Sequence, residues 1–313
     1  MSVLLPEPNP RDERARRISQ LPFATVTTHA GLFKGSGASL IELWSRRELL
    51  SQLVGRETKA RYKDSSLGLA WALFRPLMQL LVYYFAIGEV LGAARGVPSF
   101  AVFLFIGLTL WALWAEILSG STTSILTNAG LVKKIYLPRE IFPLSAVGSS
   151  LVNFGLQSTV LIAAILVISE FRASLDLLLI PIALVTLVIF ATAMGLVLSA
   201  LNVYFRDVQH FVEVYLVVFF WISPIVYPYT LIANLIGGTW LEQLYLVNPI
   251  TVCIIAMQKA LWADGIDSPT GIVQIWPERL ELRLLITLVV SLLFLFLAQR
   301  LFAKLQGNFA QEI

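Results

Sequence analysis

The chain has 313 residues, 57% of them hydrophobic and 14% charged, with a mean hydropathy of +0.77. Water-soluble chains run at roughly 45–50% apolar and about 25% charged, so this composition excludes a soluble globular protein and points to an integral membrane protein. A net charge of only +3, one cysteine (Cys253) and two histidines (His29 and His210) exclude a nucleic-acid partner, an internal disulfide and a zinc site of the usual spacing.

Residues 1–38 carry Arg11, Arg14, Arg16 and Arg17 among prolines, then a glycine-rich GLFKGSG, and are expected to be a poorly ordered cytosolic extension. Nothing in the first 66 residues is apolar enough for a signal sequence. Residues 39–66 are expected to form an interfacial amphipathic helix. Leu43, Leu50 and Val54 recur at helical spacing, broadened by Leu40, Trp44 and Leu53, with Arg46, Arg47, Arg56, Lys59, Arg61 and Lys63 between them. Arg47 interrupts the apolar stripe, so a solvated cytosolic helix stays open as the alternative.

Residues 67–313 are read as a six-span transmembrane domain. Crossing the hydrocarbon takes about 20 apolar residues, and runs of suitable length lie at 67–91, 100–126, 141–168, 177–201, 208–227 and 284–302. The segment 229–263 is apolar but cut by Gly237, Gly238, Asn248 and Pro249 into pieces too short to cross, which predicts a re-entrant helical hairpin on the outer side. No internal repeat is visible, against transporters built from repeated bundles. The expected fold class is therefore an all-α integral membrane protein: six transmembrane helices, an N-terminal interfacial helix and a short outer hairpin before the last span.

Lysines and arginines orient it. The segments before span one, between spans two and three (Lys133, Lys134, Arg139), after span four (Arg206) and after span six (Arg300, Lys304) outweigh the opposite loops with Arg95, Arg172, Lys259, Arg279 and Arg283. The positive-inside rule then puts the N-terminus in the cytosol. The last span has two positives on each side, so charge alone leaves the C-terminus undecided.

The motifs that would carry chemistry are missing. A phosphate-cradling GxxxxGK[ST] would provide a nucleotide site, but GLFKGSG has its lysine before the second glycine. No GxSxG or HExxH occurs, and no catalytic residue or bound cofactor is expected. Inside the spans, Arg75, Glu116 and Glu213 all fall in the cytoplasmic half. Charges at such depth face a partner or a wet cavity, which predicts that Arg75 pairs with Glu213 or Glu116 at an inner mouth; snorkelling of Arg75 beside Pro76 is the alternative. Tyr83, Tyr84, Trp111, Trp114, Tyr215, Phe219 and Trp221 are candidates for a glycan conduit, because aromatic faces pack on sugar rings. Core packing and membrane-interface belts use the same residues. The link at 127–140 sets Lys133, Lys134 and Arg139 beside Leu131, Ile135 and Tyr136, closed by Pro138, an amphipathic segment suited to a partner's groove.

Four stretches resemble a known family: RYKDSSLGLAWALFRPLMQLLVYYFAIGEV (61–90), FIGLTLWALWAEILSGSTTSILTNAGLVKKIYLPREIFPLS (105–145), LNVYFRDVQHFVEVYLVVFFWISPIVY (201–227) and LVNPITVCIIAMQKALW (246–262). They are similar to the membrane subunits of ABC-type exporters of O-antigen, capsule, teichoic acid and galactan, of the ABC-2 type. The resemblance implies a homodimer in the plasma membrane with both termini cytoplasmic, bound to two copies of a separate ATPase subunit that holds ATP and Mg²⁺. It also implies that Leu131, Lys133, Lys134, Ile135, Tyr136 and Arg139 couple to that ATPase, and that 229–262 forms an outer gate. The implied substrate is a polyprenyl-diphosphate-linked polysaccharide whose lipid moves laterally near spans one and five; the nearest cast is that of actinobacterial subunits exporting a galactan cell-wall precursor. A lipid or drug exporter of related architecture is the alternative, and a membrane-bound glycan enzyme the third reading.

Overall fold

The computed structural model describes residues 46–62, 68, 70–134, 137–169, 174–266 and 274–313. The expectations for residues 1–38, for Leu40, Leu43, Trp44 and Lys63, and for Ile135 and Tyr136 lie outside the described residues, as does the side chain of Lys134. Among the described residues every regular element is helical. Helix α1 (Arg47–Tyr62) precedes α2 (Ala70–Tyr83), which continues as a π-helical segment to Val90. Next come α3 (Phe100–Thr127), the short α4 (Ala129–Lys134) and α5 (Ile141–Ile168). They are followed by α6 (Leu179–Tyr204), α7 (Val208–Ile222), α8 (Tyr229–Ile236), α9 (Trp240–Val247) and α10 (Pro249–Leu261). The chain closes with α11 (Leu280–Leu305) and a terminal turn, α12 (Phe309–Glu312).

A helix apolar on every side belongs inside a bundle. That helix is α3, whose residues from Val102 to Ile106 are all buried, with α2, α5, α6, α7 and α10 packed around it. Lipid tails are as apolar as leucine, so close packing rather than exclusion from water holds such helices together. Small residues permit that approach: a Cβ at Gly195 of α6 would lie 2.7 Å from Ser121 Cβ of α3, and one at Gly107 would lie 3.1 Å from the Ile225 Cα.

Five segments are long and apolar enough to cross: Ala70–Val90, Phe100–Thr127, Ile141–Ile168, Leu175–Tyr204 and Leu280–Asn308. They coincide with five of the six expected spans. The sixth needs correction, because α7 stops at Ile222 after 15 residues rather than running helical to Tyr227. Pro224 has no N–H to continue the ladder. The unwound stretch from Ser223 to Val226 is buried, where irregular backbone is tolerated if its polar groups find partners. The Tyr227 hydroxyl lies 2.8 and 2.7 Å from the carbonyls of Trp221 and Ile222, and Gln258 Nε2 donates to the Pro224 carbonyl at 2.8 Å.

Side-chain contacts sort the helix ends onto two faces. On one, Asn202 Nδ2 donates to the Thr122 carbonyl (3.0 Å), the Tyr204 hydroxyl donates to the Leu305 carbonyl (2.8 Å), and Arg139 lies over the Phe309 ring. This link face holds the ends of α3, α6 and α11 and the starts of α5 and α7. On the other, Trp262 Nε1 donates to the Pro98 carbonyl (2.8 Å), and Lys259 bridges Asp176 (3.3 Å) and Glu281 (2.6 Å). Thr230, at the start of α8, donates to Gln274, which donates in turn to the Gly96 carbonyl. The chain therefore leaves the link face at α7 and has reached the other face by Thr230, while α10 also ends there. Between them, α9 and α10 meet at 87°. The segment starts and ends on one face, as the re-entrant hairpin requires, and the single crossing falls to α7 with its unwound extension.

Replacing Gly195 by alanine drives a methyl into Ser121, and overpacking of this kind costs about 1–3 kcal/mol. A thermal melt of the detergent-solubilised chain should fall accordingly. Gly155→Ala in α5, where a Cβ meets nothing within 4 Å, should leave the melt unchanged or raise it.

Candidate functional site

Between α2, α3 and α5 lies a cavity of about 1010 Å³. Trp71 and Arg75 reach it from α2, Trp111 and Glu116 from α3, and Asn153 and Gln157 from α5. One of its walls includes Arg61, in the last turn of α1, whose Nη1 lies 2.8 Å from Glu116 Oε2. Asn153 Nδ2 donates to the other oxygen of the same carboxylate. At 1.5 Å per residue α3 is about 42 Å long, against a hydrocarbon core of about 30 Å. Its surplus is the polar run SGSTTSILTN on the link face, which leaves Glu116 only about one turn inside the apolar slab.

The structure reorders the expected charges. Arg75 shares the groove with Glu116, but Arg61 takes the carboxylate, because the end of α1 lies alongside α5 and carries its guanidinium to that level. Glu213 sits on the exposed side of α7 beside His210, 3.4 Å from Nδ1. The pair expected between Arg75 and either acid is therefore not formed, and among the described residues Arg75 makes no ion pair.

Of the seven candidate conduit aromatics, Trp111 lines the groove. Its ring meets Phe220 edge-on at 5.6 Å, and Phe220 also stacks on Tyr83 at 5.6 Å, joining α2, α3 and α7. Trp114 points elsewhere, fully buried and stacked on Phe190 of α6 at 5.5 Å. Tyr215 and Phe219 stack on each other along α7 at 4.1 Å, and Tyr84 and Trp221 are exposed on the outer surface of the chain.

Helix α1 is clamped to the bundle rather than held by its apolar stripe alone. Leu49, Leu50 and Leu53 join a cluster with Ile125, Ile141 and Phe142. Val54 presses on Gly148, where a Cβ would come within 2.6 Å of its methyl. Polar residues on the same bundle-facing side are paired as well: Arg56 donates to Asn128 Oδ1, Ser145 Oγ donates to Glu57 Oε1 at 2.5 Å, and Thr58 donates to Ser149 at 3.3 Å. Half-burial raises the Glu57 pKa above its ordinary value against the opposing pull of Ser145, Arg56 and Arg61.

In the link, Val132 is buried and Leu131 packs on the same cluster, while Lys133 is exposed. The Arg139 guanidinium lies 5.7 Å from the Phe309 ring centroid. Phe309 is wholly buried between Phe302 and Tyr204. Leu131 and Arg139 thus face the bundle, leaving Lys133 as the described charge presented outward.

Sequence reasoning passed over Asn153, Gln157 and Phe309, and gave Arg61 only a place among the basic residues of the interfacial helix. Asn153 and Gln157 were legible as two amides four residues apart, hence on one side of a helix whose other polar residues are small hydroxyls. Arg61 and Phe309 carried no such signal.

The described residues form a helical multi-pass membrane protein whose N-terminal helix is clamped to the bundle and whose second and third spans are joined by a short link. Residues 48–262 match the family described as ABC-2 type transporter. The chain belongs to that family, as the resemblance implied. It is 28% identical over 272 residues to the O-antigen export system permease protein RfbA of Myxococcus xanthus, covering 87% of this chain and 98% of that protein. Two O-antigen export system permease proteins RfbA of Klebsiella pneumoniae are also similar. One is 31% identical over 220 residues (70% of this chain, 82% of that protein), the other 32% over 180 (58% and 69%).

Because the Glu57 pKa is raised from 4.5, its folded form binds a proton that the unfolded chain has released. Glu57's own contribution to stability is therefore greatest below 4.5 and is lost as pH rises through the folded value. Glu57→Gln keeps the acceptor for Ser145 without the charge. Its melting temperature should exceed the wild type's at pH 7, and the gap should close as pH falls toward 4.5.

Proposed function

We propose that this chain is the membrane subunit of an ATP-driven exporter that moves a polyprenyl-diphosphate-linked polysaccharide out across the plasma membrane. The observation that carries the reading is the similarity to the Myxococcus xanthus permease over 98% of that protein's length, together with membership of the ABC-2 family. A galactan cell-wall precursor is the specific cargo we infer, from the resemblance of the chain's four motif stretches. Two copies of the chain would form the conduit, and two copies of a separate ATPase chain, holding ATP and Mg²⁺, would drive it.

The link face is the cytosolic one in this reading, since Arg56, Arg61, Lys133, Arg139, Arg206, Arg300 and Lys304 all belong to it. Both ends of the described chain then lie on the cytosolic side. The ATPase would dock on the link through Lys133 and the neighbouring Lys134, Ile135 and Tyr136, while buried Val132 anchors the link to the bundle. A push there reaches α3 and α5 directly, because the link joins their ends. It reaches α1 through the contact of Arg56 with Asn128, and α1 ends at the groove with Arg61 on Glu116. The ATPase stroke would thereby alter the groove's charged end.

Cells depleted of the chain should accumulate a full-length polymer on its lipid carrier inside, readable by mass spectrometry; a lipid or drug exporter, or a glycan enzyme, would leave no such polymer. Lys133→Glu should leave the chain in the membrane and lower surface glycan by about tenfold or more, the scale of a lost charge-assisted contact. Unchanged export in that variant would remove the docking role.

A further inference from the structure

We propose that the groove between α2, α3 and α5 binds a phosphate-bearing lipid headgroup, with Arg75 as its anion contact. Arg75 lies five residues into the span Ala70–Val90 and makes no ion pair among the described residues. Arg75 is exposed, and a guanidinium at that depth either reaches to the headgroup level or meets an anion within the span. Glu116 is held by Arg61 and Asn153, and Glu213 points away, 73% exposed beside His210 on α7. The titratable groups lining the groove are Arg61, Arg75 and Glu116, so the first and last cancel and one positive charge remains.

Two further observations name the ligand class. The groove's outer lip is the exposed apolar face of α2, where Phe74, Leu77 and Met78 are 48%, 41% and 42% exposed. That surface can lie along acyl or prenyl chains, which a soluble anion would not need. Within the groove, Gln157 is 4% exposed and its Oε1 has no hydrogen-bond partner. A buried acceptor left unpaired costs stability, and a small turn of the side chain toward the groove would let a hydroxyl on the ligand complete it. The fitting chemistry is a phosphate ester that also carries hydroxyl groups, bound by a planar guanidinium. Both a hydroxylated phospholipid and the glycosyl-diphosphate end of a lipid-linked glycan offer it; only the second source rests on the export reading.

The test uses the full chain in nanodiscs of phosphatidylcholine doped with phosphatidylglycerol or a short polyprenyl diphosphate, with retained lipid read by native mass spectrometry. Wild type and Arg75→Lys should hold the anionic lipid, while Arg75→Gln should lose about tenfold of it, as for one charge-assisted contact. Gln157→Leu should weaken phosphatidylglycerol while sparing a phosphate without hydroxyls. Displacement of phosphatidylglycerol by polyprenyl diphosphate would support the site as the cargo's station. Persistence of phosphatidylglycerol would support it as a station for a bilayer lipid. Equal retention by wild type and Arg75→Gln, or no preference over phosphatidylcholine, overturns the proposal. So does a loss of dimer without a change in retained lipid, which would assign Arg75 to an acid of a second copy. Binding is read without ATPase or transport, so a failure of the export reading leaves the result interpretable.

Discussion

Hydrocarbon offers a backbone no hydrogen-bond partner, and this lack governs almost every feature of the molecule. Long helices satisfy their own N–H and C=O groups. Serines and threonines within the spans turn their hydroxyls back on carbonyls three or four residues earlier, as Thr122 does to Leu118 and Ser291 to Thr287. Where the chain breaks its ladder after Ile222, the break is buried and the Tyr227 hydroxyl and the Gln258 amide cover the exposed carbonyls. With little to drive helices together in lipid, the contacts at Gly107, Gly148 and Gly195 set how closely the elements approach.

Charged groups that remain inside the slab, Arg75, Glu116 and Glu213, gather near the link face. The chain of contacts from the link through Asn128, Arg56 and α1 to Arg61 and Glu116 is continuous and polar, so the groove and the proposed docking link share one rigid element. The terminal turn adds a second brace, with Phe309 buried beneath Arg139 and against Tyr204. In the proposed exporter, motion at the link cannot be taken up by the link alone, since its neighbours are tied to α1 on one side and to the C-terminal turn on the other.

The opposite face is built differently. Helix α10 is buried along most of its length, and its end is tied down by Lys259 between Asp176 and Glu281. Helices α8 and α9 are less buried, and hold together through Glu242, which accepts from Tyr229 and from the Gly238 N–H at 2.8 Å. Gly238 adopts φ +74°, a turn conformation that side chains rarely take. A pinned helix carrying a lightly held pair is the arrangement an outer gate would need.

What the sequence determined by itself was whatever follows from length and polarity along the chain. Five spans, the broken apolar stretch at Gly237–Gly238 and Asn248–Pro249, and the amphipathic character of α1 are one-dimensional properties, because the bilayer imposes a fixed thickness and excludes charge. The resemblance in four motif stretches pointed to the family through residue identities along the chain, which are also one-dimensional. Only the tertiary structure decided which charge meets which. Arg61 rather than Arg75 reaches Glu116 because α1 lies along α5, and that crossing depends on Val54 fitting against Gly148, a contact between residues far apart in the chain. Trp114 and Trp111 are three residues apart, yet one stacks in the core on Phe190 and the other faces the groove. On a helix apolar all round, no stripe marks one side from the other, so its neighbours alone assign the faces.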